Sequence, residues 1–345
     1  MLRRRGWVSL LVLCALAITI AILAALVIDS GKFNEWVIRL CCLGLFAMSL
    51  NLLVGYTGLL SFGHATFFGL GAYAFCILMQ SKLVNVPVAI VGTLAVTGFV
   101  AVIIGVICVR LTLIYFAFIT LAIQMLLYSL LIAWSTLTGG EQGLIGGIPR
   151  PPFWGVNLGN PFHFYVFNVV IFVGSVAIMY VIVRSPFGVA LRMIRDNPQR
   201  ATFLRVNVPR FKLVVFVIAS LFSGLAGVLM GLYVSGAYPN FAFWTTSGEG
   251  LFMIMLGGTQ VFLGPAVGAV LMIVLESIVD TYTGHHGIVL GGIILFTVLI
   301  LRRGVLDYAY DWTIARRAAR AAANSPTDET PTNALEVLTR GSLQT

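Results

Sequence analysis

The chain has 345 residues, of which 59% are hydrophobic and only 10% are charged, whereas soluble domains carry about 25% charged residues. This composition excludes a soluble enzyme, a nucleic-acid-binding protein and a secreted disulfide scaffold. The net charge of +9 does not indicate a nucleic-acid partner, because the positive residues lie between hydrophobic segments, as they do in cytoplasmic loops. We therefore predict an all-α, polytopic integral membrane protein.

Apolar stretches long enough for a bilayer-crossing helix recur along the chain. The first, 7–28, follows three arginines and is predicted to be a retained helix whose N-terminus lies in the cytoplasm. Further crossings are predicted at 35–54, 60–81, 86–109, 111–134, 162–183 and 212–234, followed by a glycine-interrupted pair at about 249–263 and 265–282 and a last helix at 285–301.

These stretches predict about eight to ten transmembrane helices. Arginines precede the first crossing and follow the last one, which places both termini in the cytoplasm and requires an even number of crossings. The glycine-interrupted pair therefore crosses twice or not at all. Residues 1–312 are predicted to form the transmembrane domain, and the polar, proline-containing segment 313–345 a disordered cytoplasmic tail.

Two glycine-rich stretches, 55–71 and 257–268, interrupt the hydrophobic pattern. Dense glycine either lets helices approach closely or breaks them where they line a cavity, as in the broken helices of transporters. For His64 the alternative is a hydrogen-bonded core residue, and Glu276 could instead mark, with Asp280, the outer interface of a short helix. The residues predicted to line a solute path are Gly58, Ser61, His64, Gly257, Gly258 and Glu276.

Motifs for nucleotide binding, metal binding or nucleophilic catalysis are missing from the sequence. Its one Gly-Lys pair, Gly31-Lys32, is followed by Phe33, so there is no Walker A motif. The adjacent His285 and His286 lie in a glycine-flanked turn and would not share one helix face. We therefore expect no catalytic residue, no metal site and no cofactor bound by this chain.

Residues 184–212 form a long predicted cytoplasmic loop that holds seven Lys or Arg residues against the single acid Asp196. Pro186 and Gly188 precede a short amphipathic helix predicted over 189–196, and a second short piece follows at 199–206. Short helices held between two long crossings suit docking into a groove of a cytoplasmic partner. A positive loop lying on anionic lipid is the alternative, but the proline and glycine at the start of the helix favour docking.

Residues 185–197 resemble the Ser-Pro-Phe-Gly-x-Ala-Leu-x-x-Ile-Arg-(Asp/Glu)-Asn loop of the LivM-type permeases of branched-chain amino acid ABC importers. The chain departs from this family at Arg205, where glycine is usual, and at Thr259-Gln260, which replace a glycine-containing turn. Similar segments occur at 50–73, 114–122, 138–149, 224–229 and 256–269, so that the resemblance covers about 35–305.

The resemblance implies a multi-pass permease subunit in the bacterial inner membrane that moves branched-chain or related amino acids into the cytoplasm. It also implies a second, LivH-type permease, two cytoplasmic ATPase subunits that bind the ATP, and a periplasmic solute-binding protein. In this family the loop is seated in the ATPase, which assigns a coupling role to Ser185, Pro186, Gly188, Arg192, Arg195, Asp196 and Asn197.

Three alternatives to this function stay open, of which an intramembrane enzyme is disfavoured because no two titratable groups converge within the bilayer by their spacing. Close relatives of these permeases carry urea and short amides on the same scaffold, because a fold does not fix its substrate. A secondary transporter or channel would need no ATPase, but it should carry a buried ion-coupling charge network beyond the lone Glu276.

Overall fold

The computed structural model describes residues 14–23, 31–81, 84–111, 113–146, 157–282, 291–292, 304–308 and 316. The turn with His285 and His286, most of the last predicted crossing and nearly all of the tail lie outside these residues. The first helices are α1 (Cys14–Leu23), α2 (Gly31–Thr57), α3 (Ala65–Gln80), α4 (Val86–Cys108), α5 (Leu113–Ala133) and α6 (Ser135–Thr138). They are followed by α7 (Pro161–Arg184), α8 (Pro186–Asp196), α9 (Pro198–Phe203), α10 (Val208–Val234), α11 (Trp244–Gly257) and α12 (Gly264–Tyr282).

The predicted all-α, polytopic architecture is confirmed. Five of the described helices (α2, α4, α5, α7 and α10) are long and apolar enough to cross a membrane. A two-residue strand pair accompanies them, in which β1 (Leu144–Ile145) pairs antiparallel with β2 (Gly236–Ala237). Single 3₁₀ turns lie at Gly140–Gln142 and Pro239–Ala242.

The centre of the structure is a closely packed group of α2, α3 and α10, and glycines decide how near these helices come. A Cβ on Gly71 of α3 would overlap the carbonyl oxygen of Gly224 on α10, and one on Gly227 would overlap that of Phe68. Larger residues would separate the two backbones, as at other small-residue helix contacts in membranes. Of the two glycine-rich stretches singled out in the sequence, 55–71 has this role at Gly71, where α3 packs on α10.

Two three-helix units, α2–α3–α4 and α10–α11–α12, share one plan. Each begins with a helix of 27 residues that is followed by a residue in the left-handed conformation, Gly58 (φ 73°) or Ser235 (φ 56°). A short helix comes next, of 16 residues in α3 and 14 in α11. A third, apolar helix closes each unit, of 23 residues in α4 and 19 in α12.

Each unit packs its short second helix against the long first helix of the other unit. Helix α3 runs parallel to α10, because Gly71 meets Gly224 and the later Cys76 meets the later Gly231. Helix α11 likewise runs parallel to α2. Gly250 lies against Phe46, and Thr259, just after α11, lies against Gly55 near the end of α2. Within the first unit α3 runs antiparallel to α2. The units are therefore related as an inverted-topology repeat, an arrangement found in many transporters.

Candidate functional site

Helix α8 turns sharply away from the end of α7, and three residues build the turn. The Ser185 hydroxyl accepts a hydrogen bond from the Gly188 amide (3.4 Å) and donates one to the Ile182 carbonyl (2.6 Å). Pro186 occupies the first helical position, where no amide hydrogen is needed. A Cβ on Gly188 would overlap the carbonyl oxygen of Val183, so only glycine allows α8 to lie this close to α7.

The short amphipathic helix predicted in the loop is confirmed, and it begins three residues earlier than predicted. Its buried face consists of Gly188, Leu191 and Ile194, while Val189 on the other face is 50% exposed. Asn197 ends α8 and caps α9, since its side-chain oxygen accepts from the Arg200 amide at 3.0 Å. The end of α9 presents exposed apolar side chains at Phe203 and Leu204.

Two arginines tie α8 to the rest of the structure. Arg195 donates from Nη1 to the carbonyl oxygen of Gly55 near the end of α2 (2.5 Å) and from Nε to Asp196 (3.4 Å). Arg192 donates from Nη2 to the carbonyl oxygen of Val183 (3.2 Å), at the end of α7. A displacement of α8 would therefore pull on both α2 and α7.

Gly58 lies at this same end of α2. A Cβ on Gly58 would stand 3.1 Å from Cγ of Arg195, so this residue packs beneath a predicted coupling residue. Its left-handed conformation (φ 73°) suits glycine, which carries no Cβ penalty there. The structure thus brings together Gly58 and Arg195, which the sequence analysis assigned to two different sites.

His64 lies fully buried immediately before α3, against α2. Ser49 Oγ donates to the Phe46 carbonyl (2.7 Å) and lies 2.9 Å from His64 Nε2. Because a serine hydroxyl has one hydrogen, the hydrogen of the second bond belongs to His64 Nε2. His64 Nδ1 and the hydroxyl of Ser61 have no hydrogen-bond partner among the described residues, although both are buried. Polar groups of this kind in a membrane protein mark a candidate site.

The starts of α3 and α11 meet at a second polar cluster, which we call the central junction: Ala65, Gln124, Ala242 and Ser247. Ser247 Oγ accepts from the Ala65 amide (2.9 Å) and donates to Gln124 Oε1 (3.3 Å). Gln124 Nε2 in turn donates to the Ala242 carbonyl (3.0 Å). This cluster was not predicted from the sequence, where its one available signal is the amide side chain of Gln124 in the apolar stretch of α5.

The predicted interruption between α11 and α12 is confirmed, since α11 ends at Gly257 and α12 begins at Gly264. Gly258 in this turn has φ 110°, a conformation that favours glycine. The amides of the next three residues donate to the carboxylate of Asp307. Asp307 was also missed, although it is the first acid after the last predicted crossing.

Glu276 forms an ion pair between α12 and α2, in which Arg39 Nη2 lies 2.9 Å from its carboxylate. The residues predicted for the solute path therefore fall at separate places: Gly58 beneath α8, Ser61 and His64 before α3, Gly257 and Gly258 between α11 and α12, and Glu276 in the ion pair.

A cleft of about 230 Å³ opens between α3, α4 and α5 and ends at Ala242 of the central junction. Its lining is almost entirely aliphatic and aromatic. Thr66 and Tyr73 are among its lining residues, and their hydroxyls are buried without a hydrogen-bond partner among the described residues. The cleft can accommodate an apolar group.

A comparison with known protein families decides the class of the protein. The profile of the family described as "Branched-chain amino acid transport system / permease component" matches residues 32–301. The chain belongs to this family. The resemblance found in the loop and in five further segments is thereby confirmed, and the family is one of membrane transport permeases rather than enzymes.

Individual relatives agree with the family. The chain is 24% identical to the high-affinity branched-chain amino acid transport system permease protein LivM of Salmonella typhimurium over 285 residues, which cover 76% of this chain and 67% of LivM. LivM of Escherichia coli K12 is similar to the same extent. The LivH permease of S. typhimurium is 25% identical over 140 residues, 40% of this chain and 45% of LivH. No solved structure matches the chain.

Proposed function

We propose that the chain is the transmembrane permease subunit of an ATP-driven importer that carries branched-chain or closely related amino acids into the cytoplasm. Family membership and the similarity to LivM over three quarters of the chain support this function. The structural observation that carries it is α8, a short amphipathic helix that is fastened to α2 by Arg195 and presents its other face outward.

Energy enters through two separate ATPase subunits, because the sequence of this chain has no Walker A motif. The docking surface for an ATPase is the outward side of α8 and α9, where exposed Val189, Phe203 and Leu204 stand among arginines. When the ATPases close on ATP they displace α8. The contacts of Gly188 with α7 and of Arg195 with α2 then pass the displacement into the membrane-spanning helices.

The rest of the assembly follows from the family. A second, homologous permease pairs with this chain in the inner membrane, and a periplasmic solute-binding protein delivers the solute. Both termini and α8 lie on the cytoplasmic side, as the distribution of arginines indicates. The β1–β2 pair then lies on the outer side, where the binding protein docks.

The choice of an aliphatic amino acid as solute is supported by the branched-chain amino acid transport of the LivM relatives and by the apolar cleft beside the central junction. A segment of 71 residues, 21% of the chain, is 31% identical to the guanosine ABC transporter permease NupQ of Bacillus subtilis. A related segment therefore also occurs in a permease for another kind of solute, and a fold does not fix its substrate. Guanosine, urea and short amides are therefore the competitors to include in an uptake assay.

Co-purification tests the coupling to ATPases. The tagged chain is extracted from native membranes in mild detergent, and the proteins that accompany it are identified. Replacing Val189, Phe203 and Leu204 by serine changes only exposed side chains, and we expect this variant to lose the ATPase. The matched control replaces three exposed apolar side chains that the arginine distribution places on the outer side of the membrane: Trp134, Leu137 and Ile145.

We expect the control variant to retain the ATPase. A wild-type chain that purifies without any ATPase would contradict the proposed function and favour a channel or secondary transporter. An ATPase that stays bound when the α8–α9 residues are replaced would contradict the assigned docking surface.

A further inference from the structure

The segment that follows the last predicted crossing returns to the turn between α11 and α12 and inserts an acid into it. The Asp307 carboxylate accepts hydrogen bonds from the amides of Thr259 (3.0 Å), Gln260 (3.2 and 3.3 Å) and Val261 (3.2 Å). The side chain is buried, with 5% of the residue exposed. Three successive amides that converge on one carboxylate form a backbone nest, a concave site with a preference for anions.

Two glycines allow the acid to enter this nest. A Cβ on Gly258 would lie 2.6 Å from Cγ of Asp307, and a Cβ on Gly304 would overlap the backbone of Gly258. Any larger residue at either position would push the 304–307 segment away from the turn. The contact therefore depends on a close fit between Gly258 and two residues that come much later in the sequence, Gly304 and Asp307.

The same turn touches the end of α2 that α8 holds. The carbonyl oxygen of Thr259 would lie 2.9 Å from a Cβ on Gly55, and the carbonyl oxygen of Gly55 accepts the hydrogen bond from Arg195. A continuous series of contacts thus leads from α8 through α2 to the turn between α11 and α12, and Asp307 holds the far side of that turn.

We propose that Asp307 is a positioning residue of the transport cycle, which keeps the 258–261 turn against α2 so that a displacement of α8 reaches α11 and α12. This inference rests on the proposed function, since it assumes that ATPases move α8. Without the carboxylate, three amides lose their acceptor, and the turn no longer follows α2. ATP hydrolysis then continues without moving α11 and α12.

The variant that tests this inference is Asp307→Asn, which keeps the size of the side chain. Both carboxylate oxygens accept amide hydrogens, so the NH₂ group of asparagine would face an N–H donor in either orientation. Asp307→Glu keeps the carboxylate and should therefore retain part of the wild-type amide protection and uptake. Glu141→Gln, at an exposed acid elsewhere in the chain, is the matched control for removal of a charge.

Hydrogen–deuterium exchange and transport are measured on the complete importer. For Asp307→Asn we expect exchange of the amides of residues 259–261 to rise by at least about tenfold, the change expected for a lost hydrogen bond to a charged group. Uptake should fall by a similar factor, while the ATPases stay bound and ATP hydrolysis continues. If Asp307 only stabilised the fold, the variant would instead lose assembly with the ATPases and ATP hydrolysis together with uptake.

Unchanged exchange at 259–261 would overturn the inference, and so would increased exchange with normal uptake. If Asp307→Asn does not assemble, Gly258→Ala gives a second test, because its Cβ presses on Asp307 and should produce the same loss of coupling. The exchange measurement needs no solute. Failure of the proposed function would therefore show itself separately, as a wild-type importer that lacks ATP-dependent uptake.

Discussion

Reversing the charge of Arg195 tests how α8 is connected to the membrane-spanning helices. Arg195→Glu removes the 2.5 Å hydrogen bond from Nη1 to the Gly55 carbonyl and places a carboxylate near that oxygen. Hydrogen bonds to charged groups contribute about 1.5–3 kcal/mol. The Arg195 side chain is 38% exposed, so solvent screening places the loss near the lower limit, about 1.5 kcal/mol, or about tenfold in the population of the connected state. Repulsion between the new glutamate carboxylate and the Gly55 carbonyl oxygen adds to this loss.

The assay is ATP-dependent uptake into vesicles, together with the amount of chain inserted and its elution in size-exclusion chromatography. We expect Arg195→Glu to lower uptake by at least about tenfold while the chain still inserts and folds. Arg110→Glu is the matched control, because Arg110 is an exposed arginine that the arginine distribution places on the same side of the membrane. Uptake that survives Arg195→Glu at the wild-type rate would refute the coupling role of this residue.

Two further predictions concern helix packing. Gly71→Ala places a Cβ against the Gly224 carbonyl and should destabilise the chain by about 1–3 kcal/mol, measured as a lower thermal unfolding midpoint in detergent. Gly174→Ala meets no atom within 4 Å and should not lower the midpoint, so equal decreases would contradict the packing argument. Arg39→Met removes the guanidinium that pairs with Glu276 and should cost about 1 kcal/mol, since the pair is partly exposed. An unchanged midpoint would show that this pair does not stabilise the contact between α2 and α12.

The α8 helix could be predicted from the sequence because its signals are local. A proline and a glycine at its start, apolar residues on one face and an Asn-Pro pair at its end all lie within 13 residues, 186–198. The turn between α11 and α12 was likewise visible as a Gly-Gly pair at 257 and 258. The first turn of α8 was not predicted, because Gly188 was expected to precede the helix. Its place inside the helix depends on the close approach of Val183, which the sequence does not show.

The start of α3 could not be predicted because residues 60–81 are apolar almost throughout. Its position is set by distant contacts: a Cβ on Gly63 would overlap the Thr120 carbonyl, and the Ala65 amide is bound by Ser247, 182 residues away. The Arg39–Glu276 pair joins residues that are 237 positions apart. No local pattern contains such pairings.

The inverted repeat was also invisible in the sequence. Its two units agree in helix length and in the position of their left-handed residues, but one unit uses glycine at Gly58 and the other serine at Ser235. The shared property is a backbone conformation rather than a residue type. The inverted relation between the units becomes visible only in the contacts between α3 and α10 and between α2 and α11.

Transport by the complete importer, reconstituted in proteoliposomes, tests the proposed function most directly. The chain is incorporated with its partner permease and ATPases, the solute-binding protein is supplied on the outer side, and entry of radiolabelled leucine, isoleucine and valine is followed. We predict uptake that requires ATP hydrolysis on the cytoplasmic side, persists without an ion gradient and is not competed by guanosine or urea. Uptake that follows an imposed ion gradient and does not respond to ATP would contradict the account.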